Sequence, residues 1–140
     1  MKAITNTFVL TAPDCPVTAA VVPVAKRASL SVSVVQYELL TARPYQLTLE
    51  DLIFETYIRR AGIAKAEANR RAAEIRAELF SKPHACMQAS ALPKKYGWGV
   101  HYDGLGQLAL YPMESEEYRQ FARGEVFGVK IVVAMRSKRD

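Results

Sequence analysis

The residues best suited to chemistry stand together between positions 94 and 103, where the sequence reads KKYGWGVHYD. Tyrosine and tryptophan rings stack on planar ligands, and lysine ammonium groups attract negative charge. An imidazole adds a polar group to such a site. The run therefore predicts a binding site for a small anionic molecule. The predicted ligand-binding residues are Lys94, Lys95, Tyr96, Trp98, His101 and, from the C-terminal segment, Arg136.

Two glycines shape this expectation, because side chains alternate across a strand. Gly97, Gly99 and His101 fall on one face of such a strand, and Trp98 falls on the other. Glycines leave room above a sheet, so one interpretation is a shallow ligand pocket over them. The other interpretation is that a helix packs over the glycines and that His101 is a hydrogen-bonded core or edge histidine.

A basic C-terminal run supports an alternative function. Residues 135–140 read MRSKRD, with Arg136, Lys138 and Arg139 in four positions. Together with the KKYGWGVHYD run and a predicted helix over about 64–80, this run is consistent with nucleic-acid binding through stacked bases and backbone contacts. The chain has no nucleic-acid motif, however, and its basic residues are dispersed. A solvated tail is the other interpretation of the run.

Two cysteines and two histidines are a third possible source of chemistry: Cys15, His84, Cys86 and His101. A metal site is not predicted, because His84-Ala85-Cys86 is not a usual ligand pair and Cys15 stands alone far upstream. Cys86 as a nucleophile, with His84 or His101 as its base, competes with Cys86 as a small buried hydrophobe. Phosphate-loop, nucleophile-elbow and dinucleotide motifs are absent from the sequence. The sequence predicts no cofactor, and it favours binding over catalysis.

Composition sets the class of protein. Of 140 residues, 50% are hydrophobic and 24% are charged, which is typical of one globular domain. The net charge of +5 favours acidic partners. No apolar run reaches the roughly 20 residues of a membrane helix, so no membrane association is predicted. Residues 1–15 lack the apolar stretch of a signal peptide, which predicts a cytoplasmic protein with two free cysteines.

Four segments rich in β-branched and aromatic residues are predicted strands: residues 4–11, 96–102, 107–111 and 127–134. The spacer DGLG at 103–106 is a hairpin signal. A four-residue turn there places His101 on the same face as Leu108 and Leu110, whereas a three-residue turn reverses this.

Helices should position these strands. They are predicted from Ser33 to about Arg43, from the cap Thr48 to the stop at Gly62, over about 64–80, and over 116–123 after Ser115. The result is an α+β fold with a single domain over residues 1–140. It has an antiparallel sheet of about four strands, and two to four helices pack mainly on one face.

A third hypothesis concerns assembly. If the predicted strand 127–134 lies at an exposed edge of the sheet, it can pair with its own copy and give a homodimer with a structural or interaction role.

Several blocks of the sequence are distinctive: DCP at 14–16, QY at 36–37, FSK at 80–82, KYGWGVH at 95–101 and AMRSKR at 134–139. Through these blocks the chain resembles a small, mainly bacterial family that is known only as a domain of unknown function. The blocks span nearly the whole chain in order, and YGWGVH and AMRSKR are the most specific. One departure is Ala85, where the family is associated with proline. The resemblance implies a small stand-alone protein and assigns no catalytic residue, cofactor or activity.

Overall fold

The computed structural model describes residues 2–25 and 31–137. These residues form one four-stranded sheet and the helices packed on it. The strands are β1 (Thr7–Leu10), β2 (Trp98–Tyr102), β3 (Leu108–Pro112) and β4 (Lys130–Val133). All four lie within or overlap the predicted segments. The strand order across the sheet is β3-β2-β1-β4. The predicted basic residues Lys138 and Arg139 lie outside the described residues.

The sheet is mixed, so the prediction of a purely antiparallel sheet was wrong. β1 pairs antiparallel with β2, and β2 pairs antiparallel with β3. β4 pairs parallel with β1, with Phe8 opposite Ile131. The chain between β3 and β4 crosses from one edge of the sheet to the other, and that crossover allows the last strand to run parallel.

Six α-helices occur in the described ranges, where two to four were predicted. They are α1 (Val32–Ala42), α2 (Leu49–Ala61), α3 (Lys65–Arg70), α4 (Ala72–Leu79), α5 (Ala91–Lys95) and α6 (Glu116–Ala122). The increase has two sources. The predicted helix over 64–80 is broken at Arg71, and α5 is a short helix whose cap is the side chain of Ser90.

Cap residues decide where the helices begin and end. Thr48 caps α2 in a capping box with Asp51, and Gly62 ends it in the left-handed conformation at φ 70°, as predicted. Ser115 caps α6, also as predicted. The cap of α1 is Ser31 instead of Ser33.

The two faces of the sheet are covered differently. The main core lies on the face that contains Val9, Val100 and Tyr102, where α1, α2 and α5 contribute buried leucines and valines. The opposite face is covered by α6, whose Phe121 ring stacks on Phe8 at 4.2 Å between centroids. A smaller apolar cluster joins α3 and α4 to α2 through Phe54, Ile58, Ala68 and Ile75.

The hairpin between β2 and β3 has a three-residue turn. Asp103 N–H donates to Gln107 O at 2.9 Å, and Gly106 adopts φ 78°. This is the loop length that favours a glycine in the left-handed region. His101 therefore pairs with Ala109, and the expectation that it shares a face with Leu108 and Leu110 was wrong.

None of the helices in the described part of the chain has both the length and the apolar character that a membrane crossing requires.

Candidate functional site

The first predicted site residues lie just before β2. Lys94 and Lys95 form the last turn of α5, where positive charge suits the helix C-terminus. Lys95 is exposed and Lys94 is half-buried. Tyr96 ends the helix, since its N–H donates to Ala91 O at 3.2 Å. The two lysines are therefore held at the surface by a short, capped helix.

Trp98 lies in the main core. Its side chain is 9% exposed, and its indole N–H donates to Val21 O at 2.9 Å. Its ring lies 5.2 Å from that of Tyr37 on α1. Packing and hydrogen bonding to the protein itself thus occupy both the ring and the polar atom of this side chain.

His101 projects from the other face of β2, so it does not share a pocket with Trp98. Its Nδ1 is 2.8 Å from Tyr45 Oη, and Tyr45 Oη is 2.6 Å from Tyr111 Oη. The Phe121 ring covers the imidazole at 4.6 Å. This network of two phenols and one imidazole was missed in the sequence, because Tyr45 is 56 residues away from His101.

Burial sets the electrostatics of this network. Desolvation lowers the pKa of His101, and the nearby Asp103 carboxylate opposes that shift. Desolvation also raises the pKa of Tyr45 well above its usual value, and the hydrogen bond with Tyr111 adds to the shift. Both groups are therefore held in their neutral forms near neutral pH, as expected for a packed polar cluster.

The space above the two glycines is filled by protein. A Cβ on Gly99 would lie 2.6 Å from Phe8 Cζ and 2.7 Å from the Tyr118 ring. A Cβ on Gly97 would lie 2.8 Å from Met113 Sδ and 2.9 Å from Val17 Cγ2. Of the two interpretations of these glycines, the structure has the one in which other elements pack over them.

Arg136 lies on the surface after β4, and one turn connects it with the lysines of α5. Ser137 N–H donates to Asp14 Oδ2 at 2.9 Å. On the other side of the same turn, Ala12 N–H donates to Pro93 O at 3.0 Å. The turn at residues 12–14 is thus hydrogen-bonded both to Pro93, the neighbour of Lys94, and to Ser137, the neighbour of Arg136.

A cleft of about 420 Å³ lies away from the predicted hairpin. We call it the 80–86 cleft, because most of its wall comes from that segment. Its described lining contains two lysines, one histidine and no carboxylate. The lining residues are Lys2, Ile4, Leu49, Phe80, Ser81, Lys82, Pro83, His84 and Cys86.

Two side chains of this cleft have defined partners. His84 Nε2 lies 2.7 Å from Leu79 O and must donate, since a carbonyl oxygen only accepts. In the neutral ring, Nδ1 is then an acceptor. The Cys86 thiol donates to Gln88 Oε1 at 3.7 Å, and Gln88 Nε2 donates to Val133 O at 3.0 Å. Cys15 and Cys86 are both free thiols.

The 80–86 cleft continues in two directions. A cleft of about 170 Å³ shares Lys2, Ile4 and Leu49 with it and adds Glu50. Another, of about 180 Å³, shares Ile4 and Cys86 and extends to Lys130. The groove is therefore lined by lysines at several points along its length.

The cysteines and histidines do not gather into a metal site. In the described residues, no three histidine, cysteine, aspartate or glutamate side chains are placed to hold one ion. His84 and His101 instead bond to Leu79 O and Tyr45 Oη, as described above.

The cleft was missed from sequence because its wall comes from three distant segments, around residues 2–4, Leu49 and 80–86. The available signal was the run KPHAC at 82–86, which combines a cation, an imidazole and a thiol. Nothing in the sequence indicates that Lys2 meets this run.

The fold defines a single-domain α+β protein. The chain belongs to a family of unknown function, DUF6157, which it matches over residues 1–140. The family resemblance inferred from the sequence blocks is confirmed. No curated protein and no solved structure matches the chain.

Proposed function

We propose that this protein binds a small organic anion in the 80–86 cleft. The observation that supports the proposal most directly is the charge of the cleft: Lys2, Lys82 and His84 line it, and its described wall carries no carboxylate. Neither lysine forms an ion pair within the described residues. Both ammonium groups are thus available to a ligand's negative charge.

The rest of the wall indicates the other half of the ligand. Ile4, Leu49, Phe80 and Pro83 form an apolar surface beside the cations. The Phe80 and His84 rings meet edge to face at 5.4 Å, which presents an aromatic surface to the cleft. A pocket with apolar walls and a few convergent polar groups is typical of a small-molecule site. The favoured ligand is an aromatic or aliphatic phosphate or carboxylate.

The proposal keeps the ligand class expected from the sequence and moves its place. Trp98 and His101 lie on opposite faces of the sheet, and protein atoms fill the space over the glycines. The proposal assigns no reaction to Cys86. It includes a cytoplasmic location, in which both thiols stay reduced.

The direct experiment is a titration of the ¹⁵N-labelled full-length protein with phenyl phosphate, followed through amide NMR shifts. We expect saturable shifts in residues 2–4 and 80–86, and none in 94–101. Saturable shifts confined to 94–101 would return the site to the hairpin. The absence of saturable shifts with phenyl phosphate and with benzoate would contradict the proposal.

A matched pair of variants tests the role of charge. The double substitution Lys2→Gln and Lys82→Gln removes two positive charges from the cleft, and Lys94→Gln with Lys95→Gln removes two from α5. Because contacts to charged groups are worth about 1.5–3 kcal/mol each, we expect the first pair to weaken phenyl phosphate binding about tenfold or more. The second pair should leave the affinity, measured by calorimetry, within about twofold. Equal losses in both would indicate non-specific charge attraction.

A second candidate function is nucleic-acid binding at the surface around the 12–14 turn. The observation in its favour is that Lys94, Lys95 and Arg136 flank this single turn. Titration with a single-stranded DNA oligonucleotide at rising salt tests it. Phosphate contacts predict that the logarithm of affinity falls linearly with that of salt concentration, and that Lys94→Gln with Lys95→Gln reduces the slope. A lack of binding at low salt would remove this candidate.

A further inference from the structure

The outer edge of β4 is open to pairing. Lys130 N–H donates to Asn6 O at 2.8 Å, and Ala134 N–H donates to Leu10 O at 2.9 Å. Peptide groups of alternate residues face the neighbouring strand, so those of Ile131 and Val133 face away from β1. Since the strand order ends at β4, no strand of the described chain receives them.

Gln88 forms a hydrogen bond with one of these outward-facing peptide groups, the carbonyl of Val133. Its side-chain Nε2 donates to Val133 O at 3.0 Å, and its own carbonyl accepts from Met135 N–H at 2.9 Å. Within the described residues, the groups left at this edge are the N–H and C=O of Ile131 and the N–H of Val133. Ile131 alone thus offers both a donor and an acceptor.

Apolar side chains follow the same edge. Phe127 is fully exposed, and Ile131, Val133 and Met135 are 37%, 44% and 56% exposed. Natural sheets usually protect an open edge with charge, proline or a cover, because a bare edge pairs with other chains. Along β4, Lys130 supplies the single charge, and it lies on the opposite face from Ile131 and Val133.

We propose that the protein forms a homodimer in which β4 pairs antiparallel with β4 of a second copy, with the two-fold axis at Ile131. In this register each Ile131 donates its N–H to the C=O of Ile131 of the partner subunit. In this register the central pair does not use the Val133 carbonyl that Gln88 already holds, and only the outer pairs with Val129 of the partner subunit reach it. A register centred on Val132 would place that carbonyl in both central pairs. The two four-stranded sheets then form one continuous sheet.

The side chains along β4 favour a second copy of this chain as the partner at this edge. With the axis at Ile131, Val133 lies opposite Val129 of the partner subunit, and the exposed Phe127 and Met135 flank the two ends of the paired segment. Lys130 lies opposite the partner's Val132, so no like charges meet. A register centred on Lys130 would instead place two lysines against each other. The exposed apolar residues of the edge are therefore complementary to themselves, as an isologous interface requires.

Because Ile131 lies on the two-fold axis, a side chain introduced at this position faces its own copy in the partner subunit. Ile131→Lys places two lysines opposite each other, and Ile131→Glu places two glutamates opposite each other. Like-charge opposition at an interface costs several kcal/mol, so we expect each variant alone to raise the dimer Kd at least about tenfold. An equal mixture of the two should restore a mixed dimer, because lysine then faces glutamate.

Sedimentation equilibrium and light scattering on the full chain, over about a hundredfold range of concentration, measure these constants. Leu105→Lys, at an exposed residue of the β2–β3 turn, is the matched control and should leave the dimer unchanged. Circular dichroism checks that each variant folds. If the Ile131 variants do not fold, Phe127→Lys at the fully exposed position should raise the Kd instead.

A wild-type protein that stays monomeric over the whole range would overturn the proposal and leave this edge to an extended segment of another protein. A dimer that survives Ile131→Lys, or a mixture of charge variants that fails to associate, would place any interface elsewhere.

Discussion

The two edges of the sheet are built in different ways. Along β3 the chain covers its own edge: Tyr45 N–H donates to Leu108 O at 2.8 Å, Leu108 N–H donates to Leu47 O at 2.9 Å, and Thr48 bridges to Gln107. Along β4 the described chain provides only the Gln88 side chain and backbone. The β3 edge is therefore paired with backbone where that strand begins, at Leu108, and the described chain gives the β4 edge no such backbone strand partner.

Packing follows the same division. Over β1, β2 and β3, the rings of Phe8, His101 and Tyr111 pack with Phe121 of α6. On the β4 side, Ile131 and Val133 are partly exposed, and a cleft of about 180 Å³ extends to Lys130. Tight packing is thus found from β1 to β3, and the open surface is found at β4. Four predictions test that separation, beginning with the largest expected effect.

Gly99→Ala should be the most damaging change. Its Cβ would lie within 2.7 Å of the rings of Phe8 and Tyr118. Phe8 is fully buried, and Tyr118 Oη is tied to Thr11 N–H at 2.9 Å, so neither ring can yield easily. We expect the free energy of unfolding in urea to fall by about 3 kcal/mol.

Gly62→Ala is the matched control for that glycine. A Cβ there meets nothing within 4 Å, so its cost arises from the φ of 70° alone and should be about 1 kcal/mol. Equal losses in the two variants would show that the β3 side is not tightly packed.

Tyr45→Phe removes the hydroxyl that joins His101 Nδ1 to Tyr111 Oη. Both partners are partly buried and lose a hydrogen bond, so the free energy of unfolding should fall by about 1.5 kcal/mol. Tyr57→Phe is the control, because that phenol is exposed and makes no hydrogen bond within the described residues. A change of less than about 0.5 kcal/mol in both variants would contradict a structural role for the network.

His101 should make stability depend on pH on the acid side. Burial lowers its pKa in the folded state, so the unfolded chain takes up the proton first as pH falls. The free energy of unfolding should therefore decrease as pH drops below about 6.5, towards the lower folded-state pKa. The slope of the unfolding free energy against pH is proportional to the number of protons taken up on unfolding, and His101→Gln should lower that number by a fraction of one proton. Parallel pH profiles in the two proteins would argue that the imidazole is not desolvated.

Phe127→Ser, on the β4 side, should have the smallest effect. The side chain is fully exposed, so at low protein concentration the free energy of unfolding should change by less than about 0.5 kcal/mol. At high concentration the variant should lose stability relative to wild type, because dimerisation stabilises the folded state by mass action. A large loss at low concentration would show that this edge is part of the monomer's own core.

Local signals in the sequence were sufficient for several elements. The caps Thr48 and Ser115 and the stop at Gly62 act through neighbouring backbone groups, so α2 and α6 were predicted from their own residues. The strand segment 127–134 was also predicted from its own residues, whereas its place at an edge of the sheet, which β4 occupies, was only a condition of the dimer hypothesis.

Features that depend on distant pairing could not be predicted. The parallel pairing of β1 with β4 joins residues more than a hundred positions apart. The turn after Asp103 has three residues instead of the expected four. As a result, His101 shares its face of the sheet with Ala109, and Leu108 and Leu110 lie on the other face. The predicted ligand residues were chosen for their types, yet the fold distributes them over two faces and a surface helix. The Tyr45 partner of His101 and the Lys2 wall of the cleft come from segments without any local signal.

Burial of the only tryptophan has a spectroscopic consequence. Because the indole N–H of Trp98 donates to Val21 O, the emission of this ring depends on that hydrogen bond. Excitation energy absorbed by Tyr37, 5.2 Å away, passes to the same indole. The single tryptophan thus reports on the contact between Val21 and the sheet, and it is not part of the lining of the 80–86 cleft.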